Sequence, residues 1–393
     1  MKLSKRMEAI PPYVFASVEK QIREKEAQGV PVLNLGPGSP DMPPPDWIID
    51  VMTEASRVAA YHRYPSYVGA PALRRAWANY YATRFGVELD PNTEVLGLIG
   101  SKEGVAHVAL ALVDPGDLVL VPDPGYPTYA SGTIIAGGTP YPMPLLEENG
   151  FLPDLDAIPP EILDRAVAMW LNYPNNPTGA VASLEFYEKV VALARRHDFA
   201  VLSDNPYAEI TYGDYRAPSF LQVPGAAEVG IEINSLSKTY NMAGWRVGAA
   251  LGSRTLVDAL MRVKSNVDTG IFYPLQAGSI AALEGDQGWI RERNGIYERR
   301  RDAAVAGLRA MGFETAAPQA SLYAWPRVPE GYDGAELAVR FLDEAAVWIT
   351  PGEAFGAAGK PYMRLSLCAT EEAITEGLAR CQRVLETPRE PAR

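Results

Sequence analysis

The chain has 393 residues, with 36 Lys and Arg against 48 Asp and Glu and a formal net charge of −12. At roughly 150 residues per domain this length suits two or three domains, and 47% apolar with 21% charged residues is ordinary globular usage, which excludes a disordered tail, a coiled coil or a fibre. An acidic balance repels phosphate backbones, so no nucleic-acid partner is expected, and any small anion has to be met by a few placed cations and backbone amides.

The opening MKLSKRMEAIPPY is basic but has no apolar core, so it is not a signal peptide. The run Val105–Val113 is interrupted by His107 and is far too short to span a bilayer. A cytoplasmic protein with no membrane partner is expected. Cys368 and Cys381 form no CxxC pair, which excludes a disulfide framework and a zinc ribbon. His62, His107 and His197 show no ligand spacing, so no metal is expected. The P-loop, dinucleotide and serine-elbow fingerprints are absent.

In chain order, 14–28 reads as an amphipathic helix stopped by Gly29 and Pro31, and 35–46 (LGPGSPDMPPPD) as a loop crowded with breakers. A helix is predicted over 103–113 and another over 183–197, capped by Ser183. Strands are predicted over 118–122, 166–174, 199–204, 229–237 and 246–252. This alternation indicates an α/β domain with a mostly parallel sheet. A long charged helix over 286–311, ended by Gly312, has the look of a bridge between domains. Short strands at 321–328, 346–352 and 362–368 follow, with helices at 336–345 and 371–386, as in a smaller α+β domain.

The most informative segment is NSLSKTYNMAGWRVG at 234–248. A lysine after an apolar strand can serve as an amine of lowered pKa that forms a Schiff base with a carbonyl. Ser235 and Ser237 beside Lys238, with Arg246 eight residues on, are the hydrogen-bond donors a phosphate needs. Upstream, SDNPYAEI at 203–210 offers Asp204 and Tyr207 after a strand, and NYPNNPTG at 172–179 offers Asn176. IGSKEG at 99–104 opens a helix, whose free amides and dipole suit a phosphate. PDPGYPTY at 122–129 holds Tyr126, RYPSYVGAPALR at 63–74 holds Tyr64, LGPGSPD holds Gly38, and YMRLSL at 362–367 holds Arg364.

Taken in order from Gly38 to Arg364, these segments resemble class I/II aminotransferases, the fold-type-I enzymes that use pyridoxal 5′-phosphate. The resemblance implies a large domain (45–285) with a mostly parallel seven-stranded sheet between helices, plus a smaller α+β domain from both chain ends (1–44 and 286–393). It implies that Lys238 forms the Schiff base and acts as the catalytic acid and base. Asp204 faces the ring nitrogen, Tyr207 and Asn176 approach O3′, and Tyr126 stacks on the ring. Ser101, Lys102, Ser235, Ser237 and Arg246 hold the phosphate, joined by Tyr64 from the neighbouring subunit of a homodimer. Arg364, with Asn176 and the backbone at Gly38, takes the substrate α-carboxylate. The ligands implied are an L-amino acid and a 2-oxo acid of the glutamate/2-oxoglutarate couple. IGSKEGVAH, VPDPGYPTY, MPLLEENGFLPDLDAIP and SNVDTGIF are also similar to the LL-diaminopimelate aminotransferases of lysine biosynthesis. The alternatives are an alanine/glutamate or broad-specificity transaminase and, further off, a C–S lyase. A non-catalytic sensor domain would need an appended DNA-binding module, for which Gly38 leaves no room. Tyr13, Phe15 and Lys102 are candidates by position for the distal end of the substrate.

Overall fold

The computed structural model describes residues 2–4, 6–10 and 14–386, and of 14–17 only the backbone. Its strands are β1 (Leu33–Asn34), β2 (Val95–Leu98), β3 (Leu118–Asp123), β4 (Thr139–Pro144), β5 (Ala166–Leu171), β6 (Ala200–Asp204), β7 (Gly230–Ser235), β8 (Gly248–Gly252), β9 (Tyr323–Ala324), β10 (Val347–Trp348), β11 (Thr350–Pro351) and β12 (Met363–Ser366). Seven of them form one sheet in the order β2-β8-β7-β6-β5-β3-β4. Only β8 runs against its neighbours; the other pairings are parallel. The seven-stranded, mostly parallel sheet is therefore as expected.

Both faces of this sheet are covered, and the strands divide their residues between them with period two. Leu120, Met169, Leu171, Val201, Ala249 and Leu251 pack in one cluster with the helices Pro71–Phe85 and Leu184–His197. Val119, Val121, Ala168, Trp170, Leu202 and Ala250 pack on the other side with Ser101–Leu112 and Arg254–Val267. Ser183 caps its helix as expected, accepting from the Phe186 amide.

A second cluster joins the chain ends: Ile22 and Leu35 pack with Leu337, Phe341, Ile374 and Val384. Beside it lie the parallel pair β1-β10 and the antiparallel set β11-β12-β9. The helix Gly288–Ala310 contributes Ile290 to the first cluster and Tyr297, Ala304 and Leu308 to the second. At about 1.5 Å per residue it is a strut of about 34 Å. Gly312 follows it with a left-handed φ of 84°.

Besides the two-residue β1, two strands of the large sheet were not legible. β2 (VLGL) is short and carries a glycine, and β4 (TPYPMP) carries three prolines, which normally argue against a strand. β4 is the sheet edge and pairs only with β3. The amide of Thr139 donates to Asp117, just before β3, and that of Leu145 to Asp123 at its end, so Pro140, Pro142 and Pro144 fall at the alternate positions facing away from β3, where no donor is needed. The run 229–237 is also shorter than expected. β7 ends at Ser235, whose hydroxyl accepts from the Ser237 amide and starts a helical turn over Leu236–Thr239. Among the described residues no helix is long and apolar enough to cross a membrane.

Candidate active site

The carboxyl ends of the parallel strands are where an open α/β sheet leaves room for a ligand. β5, β6 and β7 end at Leu171, Asp204 and Ser235, and the loops that follow meet β9 and β12 from the second cluster around a cavity of about 510 Å³. It is lined by Gly38, Ser101, Lys102, Tyr126, Asn176, Asp204, Tyr207, Ser235, Ser237, Lys238, Arg246 and Arg364, so twelve of the thirteen expected site residues come together. The thirteenth, Tyr64, is 90% exposed and lies outside it.

Lys238 sits in the helical turn after β7, and its Nζ bonds the Gly38 carbonyl. The turn is braced from behind by Arg293 of the strut. Its guanidinium donates to the carbonyl oxygens of Lys238 (2.7 Å), Thr239 and Glu209 (2.7 Å). Burial lowers the Lys238 amine to about 8, and the positive charges of Arg364 and Arg246 push the same way. At that value about a tenth of the amine is free base at neutral pH, far more than for an ordinary lysine.

Asp204 is 5% exposed. Its Oδ2 accepts from Tyr129 at 2.6 Å, while Oδ1 is buried without a partner. Burial raises this carboxyl to about 7, against the pull of the Tyr129 hydrogen bond. Tyr129 stacks on Trp170 with centroids 4.7 Å apart and meets Tyr126 edge-on at 5.6 Å. The Asn172 side chain donates to the Asp204 carbonyl (2.7 Å) and accepts from the Asn176 amide (2.8 Å), tying the two loops together.

At the other end, the helix Ser101–Leu112 starts from Gly100, where no side chain caps its amides. A Cβ at Gly100 would stand 2.1 Å from Arg246 Nη2, and φ there is +75°, so glycine is what admits the guanidinium. Arg246 is itself left-handed (φ 57°) and donates to Ser237 Oγ at 3.4 Å and to the Ala243 carbonyl at 2.9 Å. Backbone amides, a guanidinium and the Ser235 and Ser237 hydroxyls thus face one spot suited to a phosphate.

Arg364 on β12 donates to Asn176 Oδ1 and to the Gly36 carbonyl, each at 2.7 Å, and its Cζ lies 4.2 Å from the Tyr323 centroid and 4.5 Å from that of Phe355. The backbone contact to this arginine comes from Gly36. Gly38 instead packs against Tyr323, where a Cβ would fall 1.8 Å from the hydroxyl. Of the residues suggested for the distal end, Lys102 lines the cavity; Tyr13 and the side chain of Phe15 lie outside the described residues. Val18 and Glu19 line it from the same N-terminal helix. Tyr129, Asn172, Tyr323, Gly36 and Arg293 were not singled out from sequence. Tyr129, Asn172 and Gly36 fall inside the quoted motifs; Tyr323 and Arg293 carry no local signal.

One cluster lies outside this cavity. Ligand atoms of Glu103, His107 and Asp268 come within 4.8 Å of one another. The Lys264 ammonium already takes that place, 3.1 Å from Glu103 and 2.7 Å from Asp268. Glu103 also accepts from the Ile99 amide at 2.5 Å, so the cluster anchors the loop before the phosphate-facing helix.

Residues 30–380 match the model of the family aminotransferase class I and II. The chain is 50% identical over 380 residues to an LL-diaminopimelate aminotransferase of Dehalococcoides mccartyi, covering 97% of this chain and 98% of that one. It is 52% identical over 377 residues to another of that name from Desulforudis audaxviator, covering 96% of each. A substrate-bound BacF structure from Bacillus subtilis superposes with a TM-score of 0.93 at 37% identity over 98% of both chains.

The raised carboxyl of Asp204 has a stability consequence. An unfolded aspartate titrates near 3.9. Between there and about 7 the folded chain holds a proton that the unfolded chain releases, so stability falls as pH rises through this window, and the burden is complete above it. In cofactor-stripped protein, Asp204→Asn should raise unfolding stability at pH 8 by on the order of 3 kcal/mol and by less at pH 5. Denaturant titrations at the two pH values read this directly, and equal or lower stability of the variant at pH 8 would contradict it.

Proposed function

This chain belongs to the class I and II aminotransferases, and within that family we propose that it moves an amino group between glutamate and tetrahydrodipicolinate, forming LL-diaminopimelate for lysine synthesis. The observation that carries the reaction class is the lysine amine held near 8 in one cavity with an arginine clamp and a carboxyl that has one unpartnered oxygen. The substrate rests on half identity, across nearly the whole of both chains, to proteins of that name.

The family uses pyridoxal 5′-phosphate, and the residues present fit it. The orphaned Asp204 Oδ1 suits a ring N–H, the uncapped amides at Ser101 with Arg246 suit a phosphate, and Lys238 suits an aldehyde. When bound, this group supplies a carbonyl that condenses with amines and a protonated ring that draws electrons from the substrate Cα. Asp204 keeps the proton on the ring nitrogen. Ser101, Lys102, Ser235, Ser237 and Arg246 hold the phosphate, Tyr126 covers the ring, and Tyr207 and Asn176 bond O3′. With the group bound, Lys238 Nζ would hold it covalently and would serve as general base and acid toward the substrate Cα proton. Arg364 fixes the α-carboxylate by a two-pronged hydrogen bond.

In this reading residues 45–285 form the cofactor-binding body, and 1–44 with 286–393 the smaller one. The chain works in the cytoplasm as a homodimer whose partner lends Tyr64 to the phosphate. Exposed Val58, Tyr61, Tyr64, Tyr67 and Phe272 support such an interface, Tyr61 and His62 being in ring contact with Tyr273 and Phe272.

Lys238→Ala should still bind the cofactor, with no borohydride-trapped adduct on the chain and no turnover; transamination near the parent rate would overturn the assignment. Arg364→Lys should weaken a dicarboxylate inhibitor by about 10- to 100-fold, the worth of a lost charged bidentate bond, with cofactor affinity little changed. Equal inhibitor affinity in variant and parent would remove the clamp. Rapid-mixing absorbance of the loaded enzyme with single amino acids tests the substrate. Glutamate and LL-diaminopimelate should each convert the cofactor to its amine form, whereas response to alanine without LL-diaminopimelate would point to the alanine/glutamate alternative. Pyruvate and sulfide from cystathionine would mark a C–S lyase.

A further inference from the structure

We propose that Tyr323 is a positioning residue serving two parts of the site at once: its hydroxyl orients the phenol of Tyr207, and its ring supports the guanidinium of Arg364. This rests on the roles given to those two residues above and adds a residue that ties them together.

The placement follows from the small sheet. β9 pairs antiparallel with β12, with Tyr323 opposite Ser366 and Ala324 opposite Leu365. Arg364 stands two residues from Ser366 and therefore on the same face as Tyr323, in the diagonal relation that an aromatic side chain spans. The ring is 2% exposed, lines the cavity and lies under the guanidinium at 4.2 Å. A cation over a ring face gains from its quadrupole, most of all where water is excluded. The same ring meets Tyr207 edge-on, with centroids 5.7 Å apart and hydroxyl oxygens 3.0 Å apart. Gly38, whose carbonyl holds Lys238, packs against that hydroxyl. One side chain thus touches the arginine, the phenol and the glycine that holds the lysine.

A phenol has one hydrogen to give. In a pair of phenols, whichever accepts keeps its own hydrogen for another partner. Burial pushes both hydroxyls up, and the nearby Arg364 charge pulls both back. The other titratable groups bearing on the pair are Asp204, Cys368 and Tyr126. The 3.0 Å contact lets either hydroxyl donate; with Tyr323 donating, Tyr207 accepts and keeps its own hydrogen for the cavity. A donor aimed at an anionic oxygen stabilises the deprotonated form and lowers its pKa.

Two variants of the holoenzyme separate the two duties. Tyr323→Phe keeps the ring and loses the hydroxyl. It should hold the Kd of a dicarboxylate inhibitor, measured by calorimetry, within about twofold, while raising the pH midpoint of the bound cofactor's absorbance by about half a unit, the size of one weakened hydrogen bond. Tyr323→Leu loses both, and should in addition raise the inhibitor Kd about fivefold, as loss of a buried cation–π contact does. An unchanged midpoint in the phenylalanine variant overturns the proposal. So does an unchanged Kd in the leucine variant, or a Kd that rises as far in the phenylalanine variant as in the leucine one. Melting curves show that each variant is folded, and the phenylalanine variant alone suffices if the leucine variant is not. A wild-type protein with no cofactor absorbance or no dicarboxylate affinity would instead sink the aminotransferase reading itself.

Discussion

Lys238, Arg246 and Arg364, with Lys102 nearby, face one largely buried cavity, and most of the surrounding structure answers that constraint. Gathering like charges away from water is costly unless each finds partners. Here the partners are mainly neutral: the carbonyls of Gly36, Gly38 and Ala243, the amide oxygen of Asn176, and the rings of Tyr323 and Phe355. The buried carboxyl facing the same space is Asp204, which burial itself biases toward the neutral form, while Glu19 lines the cavity from the exposed side of the N-terminal helix. The cations are held in place without being neutralised, which is the condition of a site that awaits anions. The net charge of −12 therefore describes the rest of the molecule and not its centre.

Holding charges this way demands a rigid frame. The lysine turn is clamped by two hydrogen bonds from Arg293, which also holds the Glu209 carbonyl, the loop before the phosphate-facing helix is tied through Glu103 to Lys264, and Asn172 locks two strand-end loops to each other. Arg293 and Arg364 come from parts of the chain that pack with the second cluster or straddle it. The cavity is thus completed only when the chain ends have folded onto the sheet.

Much of this was legible because it lies in loops just past strand ends, where polar residues, glycines and prolines stand out against apolar runs. Asp204, Lys238 and Arg246 are of that kind. Tyr323 is not: in SLYAWPRV a tyrosine looks like any other half-buried strand residue, and its part in the site depends on which strand lies beside it. Arg293 belongs to a helix so rich in arginine that one buried member cannot be told from its exposed neighbours. Gly36 and Gly38 are two residues apart in one loop, and only tertiary packing decides which carbonyl meets the arginine. The edge strand β4 was hidden by its prolines for the reason that permits them there.

Those prolines do more than escape notice. A parallel sheet of seven strands ends, at β4, in a row of backbone groups open to any passing extended chain. With Pro140, Pro142 and Pro144 at every outward position, that row offers acceptors but no amide hydrogens, and a strand from another molecule cannot build a two-way ladder on it. The sheet is sealed against growth from this side, so no extended chain, a second copy included, can add strand to strand along β4.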